Sequence, residues 1–383
     1  MKKFPYDRIS VLIMPTDYCN MNCVYCFNKR KNCLEDKKMS LKTVQKIFEI
    51  TIPYYKEVNY IWHGGEPLSM GLEFYKNVFS IQKAMNKTGT AINNSIQSNL
   101  TLLNHEMATF FMEHKVDIGG SFDGTQNELT RHNTEKILQG INCIKECGGS
   151  VNLICVVQSK NINYLIEDYK WFNQNKINYT LNQYISPLSP KEDELYVSAE
   201  YYIQKICELY DYWSVDQNCT IKISYFDFIV DYILFHKKKL CCYNSCLGKF
   251  VGILEDGNIF NCNREFSIEY CYGNVYDYAD IRECFESSGF HRILRKAIAR
   301  REECKADCEL FGFCSGGCNS NALISEDINH NLYLCKCQKG VYHYIEQHLL
   351  YWMSQAESQI ETTLNMSLGK KILQFQRKRT QTS

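Results

Sequence analysis

The chain of 383 residues has no apolar run approaching the roughly 18 residues that cross a bilayer, so no transmembrane helix is expected. No long apolar stretch follows the two lysines of its start, MKKFPYDRIS, which argues against a secretory signal. The chain also lacks a net charge. Lys plus Arg and Asp plus Glu number 43 each, so nothing favours electrostatic capture of nucleic acid. The RKR run at 377–379 is read as a solvated tail. These absences point to a cytoplasmic protein that works on neither nucleic acid nor membrane.

Cysteine is what the chain has in excess, with 21 residues. In a small secreted protein this number would mean disulfides; in a cytosolic chain of this size it points to metal or cluster ligation. Hydrophobic residues at 45% and charged residues at 22% are an ordinary globular balance, and the length allows a full-size catalytic domain plus a smaller one. The cysteines fall in two places. Cys19, Cys23 and Cys26 lie in DYCNMNCVYCFN, and a larger group lies between Cys241 and Cys337. Cys143, Cys147, Cys155, Cys207 and Cys219 are scattered and are read as small buried hydrophobes. Cys33 is assigned no role.

In the first group, three residues and then two separate the cysteines. Three thiolates this close can grip three irons of a cubane and leave the fourth iron open to a ligand. A closed zinc site needs one more thiol, and a disulfide leaves one over. Tyr25 and Phe27 flank Cys26 and can shield a cluster from water.

Hydrophobic patterning predicts strands at Ile9–Pro15, Val58–His63, Thr90–Gln97, Val116–Phe122, Val151–Val157 and Tyr179–Ile185. Helices are predicted between and after them, at Met39–Tyr54, Glu73–Met85, Leu102–His114, Glu135–Cys147, Tyr164–Asn175 and Glu200–Trp213. Six strand–helix units imply parallel strands with helical crossovers, in an open doubly wound sheet or a partial barrel. Asp17, His63, Gln97, Asn99, Ser121 and Asp123 then fall at strand C-terminal ends, where such architectures build sites. Past about Lys238 the helical periodicity fades, and metal ligation is expected to substitute for a core. A last helix is predicted at Lys339–Met353, with a loose polar tail from about Ser367.

Gly64-Gly65-Glu66-Pro67 lets a backbone approach a ligand closely and sets a carboxylate where it can pair with an ammonium; a tight strand-to-helix turn has the same pattern. Gln97 with Asn99, and Ser121 with Asp123, share a side by period-2 spacing. A carboxylate beside a hydroxyl suits ribose hydroxyls, and Arg131 can hold a carboxylate bidentately. Ammonium, carboxylate and ribose beside an iron cluster describe S-adenosylmethionine.

On these residues the sequence resembles the radical S-adenosylmethionine superfamily. The resemblance runs through Cys19, Cys23, Cys26, the aromatic Tyr25, and Gly64, Gly65 and Glu66. It implies a partial (β/α)6 TIM-type barrel over 1–235. It also implies an open iron that chelates the methionine amine and carboxylate, and a 5′-deoxyadenosyl radical formed on reduction. The cofactor pocket is then expected from Gly64, Gly65, Glu66, Gln97, Asn99, Ser121, Asp123 and Arg131.

Eight further thiols follow: Cys242, Cys246 and Cys262, the last closing FVGILEDGNIFNC, a predicted hairpin turning at Asp256-Gly257; then Cys304, Cys308, Cys314, Cys318 and Cys335. Eight suffice for two ligated cubanes, and four of them for a zinc ribbon. Their order, with YGNVYD and CSGGC, resembles the SPASM domain of radical enzymes that modify peptides, placed here at 236–350, with a C-terminal helix and loose tail at 351–383. The resemblance implies one cluster on Cys242, Cys246, Cys262 and Cys318 and an outer one on Cys304, Cys308, Cys314 and Cys335. Cys241 and Cys337 are rivals to Cys242 and Cys335. Three [4Fe-4S] clusters and S-adenosylmethionine are therefore the expected cofactors.

The expected activity is a radical maturase. It would abstract hydrogen from a residue of a ribosomally made peptide or protein and install a crosslink or an oxidised residue. WHGGEPL, NSIQSNLTLL and SFDG also resemble anaerobic sulfatase-maturating enzymes, which convert Cys or Ser to formylglycine. In those enzymes an Asp following the third auxiliary cysteine is the proposed proton acceptor, and Asn263 stands there instead. A non-catalytic iron–sulfur carrier or sensor is the alternative from another class. Expected partners are the peptide or protein substrate, a reductant such as flavodoxin or ferredoxin, and a separate leader-binding protein, because only 18 residues precede Cys19.

Overall fold

A computed structural model describes residues 6–26, 37–185, 193–239, 246–264, 266–324 and 332–382. Phe27, Cys33, Cys241 and Cys242 lie outside this set, so the choice between Cys241 and Cys242 does too.

Six parallel strands follow one another across a sheet: β1 (Arg8–Ile13), β2 (Glu57–Trp62), β3 (Ala91–Ser98), β4 (Asp117–Ser121), β5 (Asn152–Val157) and β6 (Asn178–Gln183). Each pairs with its chain neighbour, in a register that aligns Ile13, Trp62 and Ile96. The order never reverses, so the doubly wound alternative is ruled out and the partial-barrel order stands. Helices Leu41–Thr51, Leu72–Met85, His105–Glu113, Thr134–Glu146, Leu165–Gln174 and Ala199–Val215 follow the strands in turn. Strand residues such as Ile9, Val58, Leu153 and Tyr179 are buried against helix residues such as Ile47, Phe111 and Phe172 in one core.

The cysteine-rich region adds to this sheet. Its hairpin, β7 (Phe250–Ile253) and β8 (Ile259–Phe260), turns at Gly257 in the left-handed region. β7 pairs in parallel with β1, matching Ser10 to Phe250. A boundary at residue 236 therefore divides one continuous hydrogen-bonded layer.

Two expectations need correcting. Periodic helix does not fade after Lys238, because Ser288–Asp307 is a single 20-residue helix. It buries only Gly289, Phe290, Ile293, Ala297, Arg300 and Cys304, too sparse an apolar stripe to stand out in sequence. The tail is not loose either. Helix Met366–Thr382 buries Leu368, Ile372 and Leu373, which share a face at spacings of four and five. Lys371 Nζ bridges Asp227 Oδ1 at 2.7 Å and Asp231 Oδ1 at 2.8 Å. The RKR run carries ring and ion-pair contacts, with Arg377 paired to Glu357 and Lys378 over Phe235.

Candidate active site and cysteine clusters

The loop after β1 carries the first three cysteines. Cys19 is exposed, Cys23 buried and Cys26 half-buried. The Gly64-Gly65 turn lies flat against this loop. Gly65 N donates to Thr16 O at 3.1 Å and Glu66 N to Tyr18 O at 2.6 Å. A Cβ on Gly65 would meet Tyr18 O at 2.1 Å, so only glycine fits. Gly64 sits at φ +110°.

Glu66 is 1% exposed, and both its oxygens are occupied. Oε1 accepts from Leu68 N at 2.9 Å and Ser98 Oγ at 2.8 Å; Oε2 accepts from Asn99 N at 2.8 Å. In this structure Glu66 staples the β2 turn to the end of β3. Asn99 Nδ2 donates to Asn20 Oδ1 at 2.9 Å and reaches Cys19 Sγ at 3.7 Å. Gln97 Nε2 donates to Ser121 Oγ at 3.1 Å, and both residues remain partly open at the sheet edge.

Asp123 is fully buried rather than presented to a ribose. Its Oδ2 accepts from Tyr25 Oη at 2.5 Å and Thr130 Oγ1 at 2.7 Å, and its Oδ1 from Val156 N at 2.9 Å. Arg131 Nη1 donates to Tyr25 Oη at 2.6 Å, and Val24 N to Thr130 O at 2.9 Å. Tyr25 thus faces away from an open site and anchors the cysteine loop to the ends of β4 and β5. Burial, and next the Asp123 carboxylate, hold its phenol protonated. Burial raises the Asp123 pKa against the pull of Arg131. Two buried polar atoms here lack a protein partner among the described residues, Arg131 Nε and Asp17 Oδ2. An orphan guanidinium donor beside three soft thiols fits a cluster with a carboxylate-bearing ligand.

His63 accepts from Gly64 N through Nδ1 at 2.7 Å. Burial, and next Arg264, push it down to about 4, so at neutral pH it is a neutral imidazole that can donate only from Nε2. Asn263 is buried, and its Oδ1 accepts from Cys262 Sγ at 3.2 Å.

Among the described residues no set of three or more His, Cys, Asp or Glu side chains is placed to hold a metal ion, and the later cysteines are related through the charges they exert on one another and on shared neighbours. Cys304, Cys308, Cys314 and Cys335 act on one another electrostatically. The backbone amides of Gly316 and Gly317 point at Cys314, in a loop where Ser315, Gly316 and Gly317 are all left-handed. Cys337 lies elsewhere: it is fully buried and accepts from Gln183 Nε2 at 3.0 Å. Cys246 accepts from two amides, Asn261 Nδ2 at 3.9 Å and Asn319 Nδ2 at 3.7 Å. Cys246 and Cys318 both bear on Arg300, and Cys246 and Cys262 both bear on Tyr272. Asn261, Asn319 and Arg300 carry no sequence signal, because their roles depend on which thiols the fold places beside them.

A parallel sheet without reversal thus carries a cysteine loop at its C-terminal edge and a glycine pair packed under that loop. Residues 13–172 match the family model of the Radical SAM superfamily. The cysteine-type anaerobic sulfatase-maturating enzyme of Clostridium perfringens is 28% identical over 359 residues, covering 88% of this chain and 96% of that one. The serine-type enzyme of Bacteroides thetaiotaomicron is 28% identical over 379 residues, covering 90% of each. Native anSMEcpe with bound AdoMet superimposes with a TM-score of 0.81 at 26% identity, covering 90% of this chain and 98% of that one. The same enzyme with AdoMet and the Cp18Cys peptide superimposes equally well. No described helix is long and apolar enough to cross a membrane.

Proposed function

We propose that this chain is a maturase that abstracts hydrogen from a side chain of a peptide or protein, leaving an oxidised or crosslinked residue. One observation carries the reading. A loop of three thiols and an orphan Arg131 Nε meet at one sheet edge, in a chain similar along nearly its whole length to sulfatase-maturating enzymes. Cys19, Cys23 and Cys26 would hold a [4Fe-4S] cluster, which with S-adenosylmethionine supplies the hydrogen-abstracting radical. Gly64 and Gly65 let the β2 turn close on the cysteine loop, Arg131 Nε would take a carboxylate, and Gln97 and Ser121 offer polar groups at the open edge. Tyr25 and Asp123 hold the loop. Cys246, Cys262 and Cys318, with Cys242, would hold a second cluster, and Cys304, Cys308, Cys314 and Cys335 a third. A low-potential flavodoxin or ferredoxin would supply electrons.

Conversion of Cys or Ser to formylglycine in a sulfatase is favoured by the names of the full-length relatives. Asn263 bears against it, since an amide cannot accept a proton at neutral pH. His63 cannot stand in as the base, with Nδ1 already accepting. The test is anaerobic reaction of the reconstituted enzyme with a Cys- or Ser-containing sulfatase peptide and with candidate peptides from the same operon. Mass spectrometry should show a two-hydrogen loss in a crosslinked product or the aldehyde in a sulfatase peptide. Failure to modify any of them, with S-adenosylmethionine still cleaved, would sink the peptide reading.

A further inference from the structure

Arg300 is 2% exposed on helix Ser288–Asp307. Among the described residues no carboxylate pairs with it. Its Nε donates to Gly316 O at 2.8 Å, and its Nη2 donates to Asn319 Oδ1. The opposite charges bearing on it most strongly are those of Cys318, Cys304 and Cys246, while Arg301 opposes them. A guanidinium buried with only neutral acceptors is costly unless anions lie close. The anions this site would supply are the thiolates that its neighbouring cysteines become on binding iron.

The guanidinium also shapes both groups. Because Arg300 occupies Asn319 Oδ1, the Asn319 amide turns its Nδ2 to Cys246 Sγ, 3.7 Å away. The Gly316 carbonyl it holds belongs to the left-handed loop whose amides point at Cys314. One side chain therefore braces a hydrogen bond to a sulfur on each side. Positive charge and hydrogen bonds near a cluster favour its reduced, more negative state and raise its potential.

We propose that Arg300 is the shared counter-ion of the two auxiliary cysteine groups and sets the reduction potentials of the clusters they hold. This rests on the reading that both groups carry [4Fe-4S] clusters. The test uses the full chain, reconstituted anaerobically with iron and sulfide, with iron counting and a redox titration followed by electron paramagnetic resonance. About 12 iron per wild-type chain is expected for three cubanes. About four would overturn the underlying reading before any variant is made.

Arg300→Gln removes the charge while keeping an amide donor; Arg300→Lys keeps the charge. The glutamine variant should lower both auxiliary midpoints by about 59 mV or more, a tenfold change in a one-electron equilibrium. Lysine should recover at least half of that shift, and the signal of the Cys19 loop should stay unchanged. Loss of auxiliary iron in the glutamine variant but not in the lysine variant would equally support a role for the charge. Unchanged midpoints, a shift confined to one auxiliary signal, equal shifts in both variants, or equal loss of iron from both would overturn the proposal.

Discussion

The two cysteine regions are held in different ways: at the first, the buried arginine has a carboxylate beside it, and at the second, among the described residues, it has only neutral acceptors. The loop after β1 is braced from outside by a buried network of Tyr25, Asp123, Thr130 and Arg131 and by backbone pairing, and it leaves Cys19 exposed. Beside the later cysteines Arg300 is buried and holds Asn319, whose amide is aimed at Cys246, and Gly316, in the loop whose amides point at Cys314. The first arrangement keeps a thiol facing an open edge, as a site that binds and cleaves a ligand requires. The second leaves none of its described thiols exposed, with Cys304 buried and the others half-buried, which suits clusters that only pass or hold charge.

The widest break between the regions should come from removing one ligand on each side. Cys23→Ala should lose about four iron and all formation of 5′-deoxyadenosine while the auxiliary signals remain; Cys314→Ala should lose iron from the auxiliary set and leave the first cluster's signal. Iron analysis with product chromatography checks both. A sharper version uses neighbours on one helix. Cys335→Ala should lose about four iron, whereas Cys337→Ala should lose none, because Cys337 points to Gln183.

Next in size is the brace itself. Asp123→Ala strips acceptors from Tyr25, Thr130 and Val156 and leaves Arg131 buried without its carboxylate. Denaturant unfolding should show a loss of about 3–5 kcal/mol. A loss under about 1 kcal/mol would mean that the loop is held by backbone pairing alone. At the far end, Ile372→Ala should cost about 2–4 kcal/mol with iron content unchanged, since the tail helix carries no cysteine and packs against helices Ser224–Phe235, Leu332–Met353 and Glu357–Thr363.

The smallest effect is a pH dependence at His63. Its folded pKa, about 4, lies below the usual value of 6.5. Between those values the unfolded chain binds more protons, so stability should fall as pH drops through 6.5 towards 4. His63→Gln cannot titrate there. The wild-type protein should lose about 1–2 kcal/mol relative to it between pH 7 and 4.5, allowing for solvent screening at this half-buried ring. Paired urea melts at the two pH values check the difference.

The parallel strands and the first cysteine loop were legible because both are local signals, whereas residue patterning left the strand order open between a doubly wound sheet and a partial barrel. Apolar runs spaced by helices imply parallel strands, and three thiols in eight residues need no fold to bring them together. The burial of Asp123 and Glu66 was not legible. Their positions at strand ends read the same whether the carboxylate faces a ligand or a ring of backbone amides. Arg300 was hidden for a related reason, since its meaning comes from thiols 4 to 54 positions away in the chain. The tail was misjudged because its few buried positions, Leu368, Ile372 and Leu373, are diluted by polar residues on the other face. The contribution of β7 to the main sheet had no signal at all, since pairing with β1 is decided by tertiary placement.

The most direct measurement is anaerobic incubation of the reconstituted full chain with S-adenosylmethionine and dithionite, alongside Cys19→Ala/Cys23→Ala/Cys26→Ala. The wild-type chain should form 5′-deoxyadenosine with about 12 iron bound, and the triple variant should form none while keeping about eight. A wild-type chain that binds its full iron and yet yields no 5′-deoxyadenosine would contradict a radical-generating role for the loop after β1.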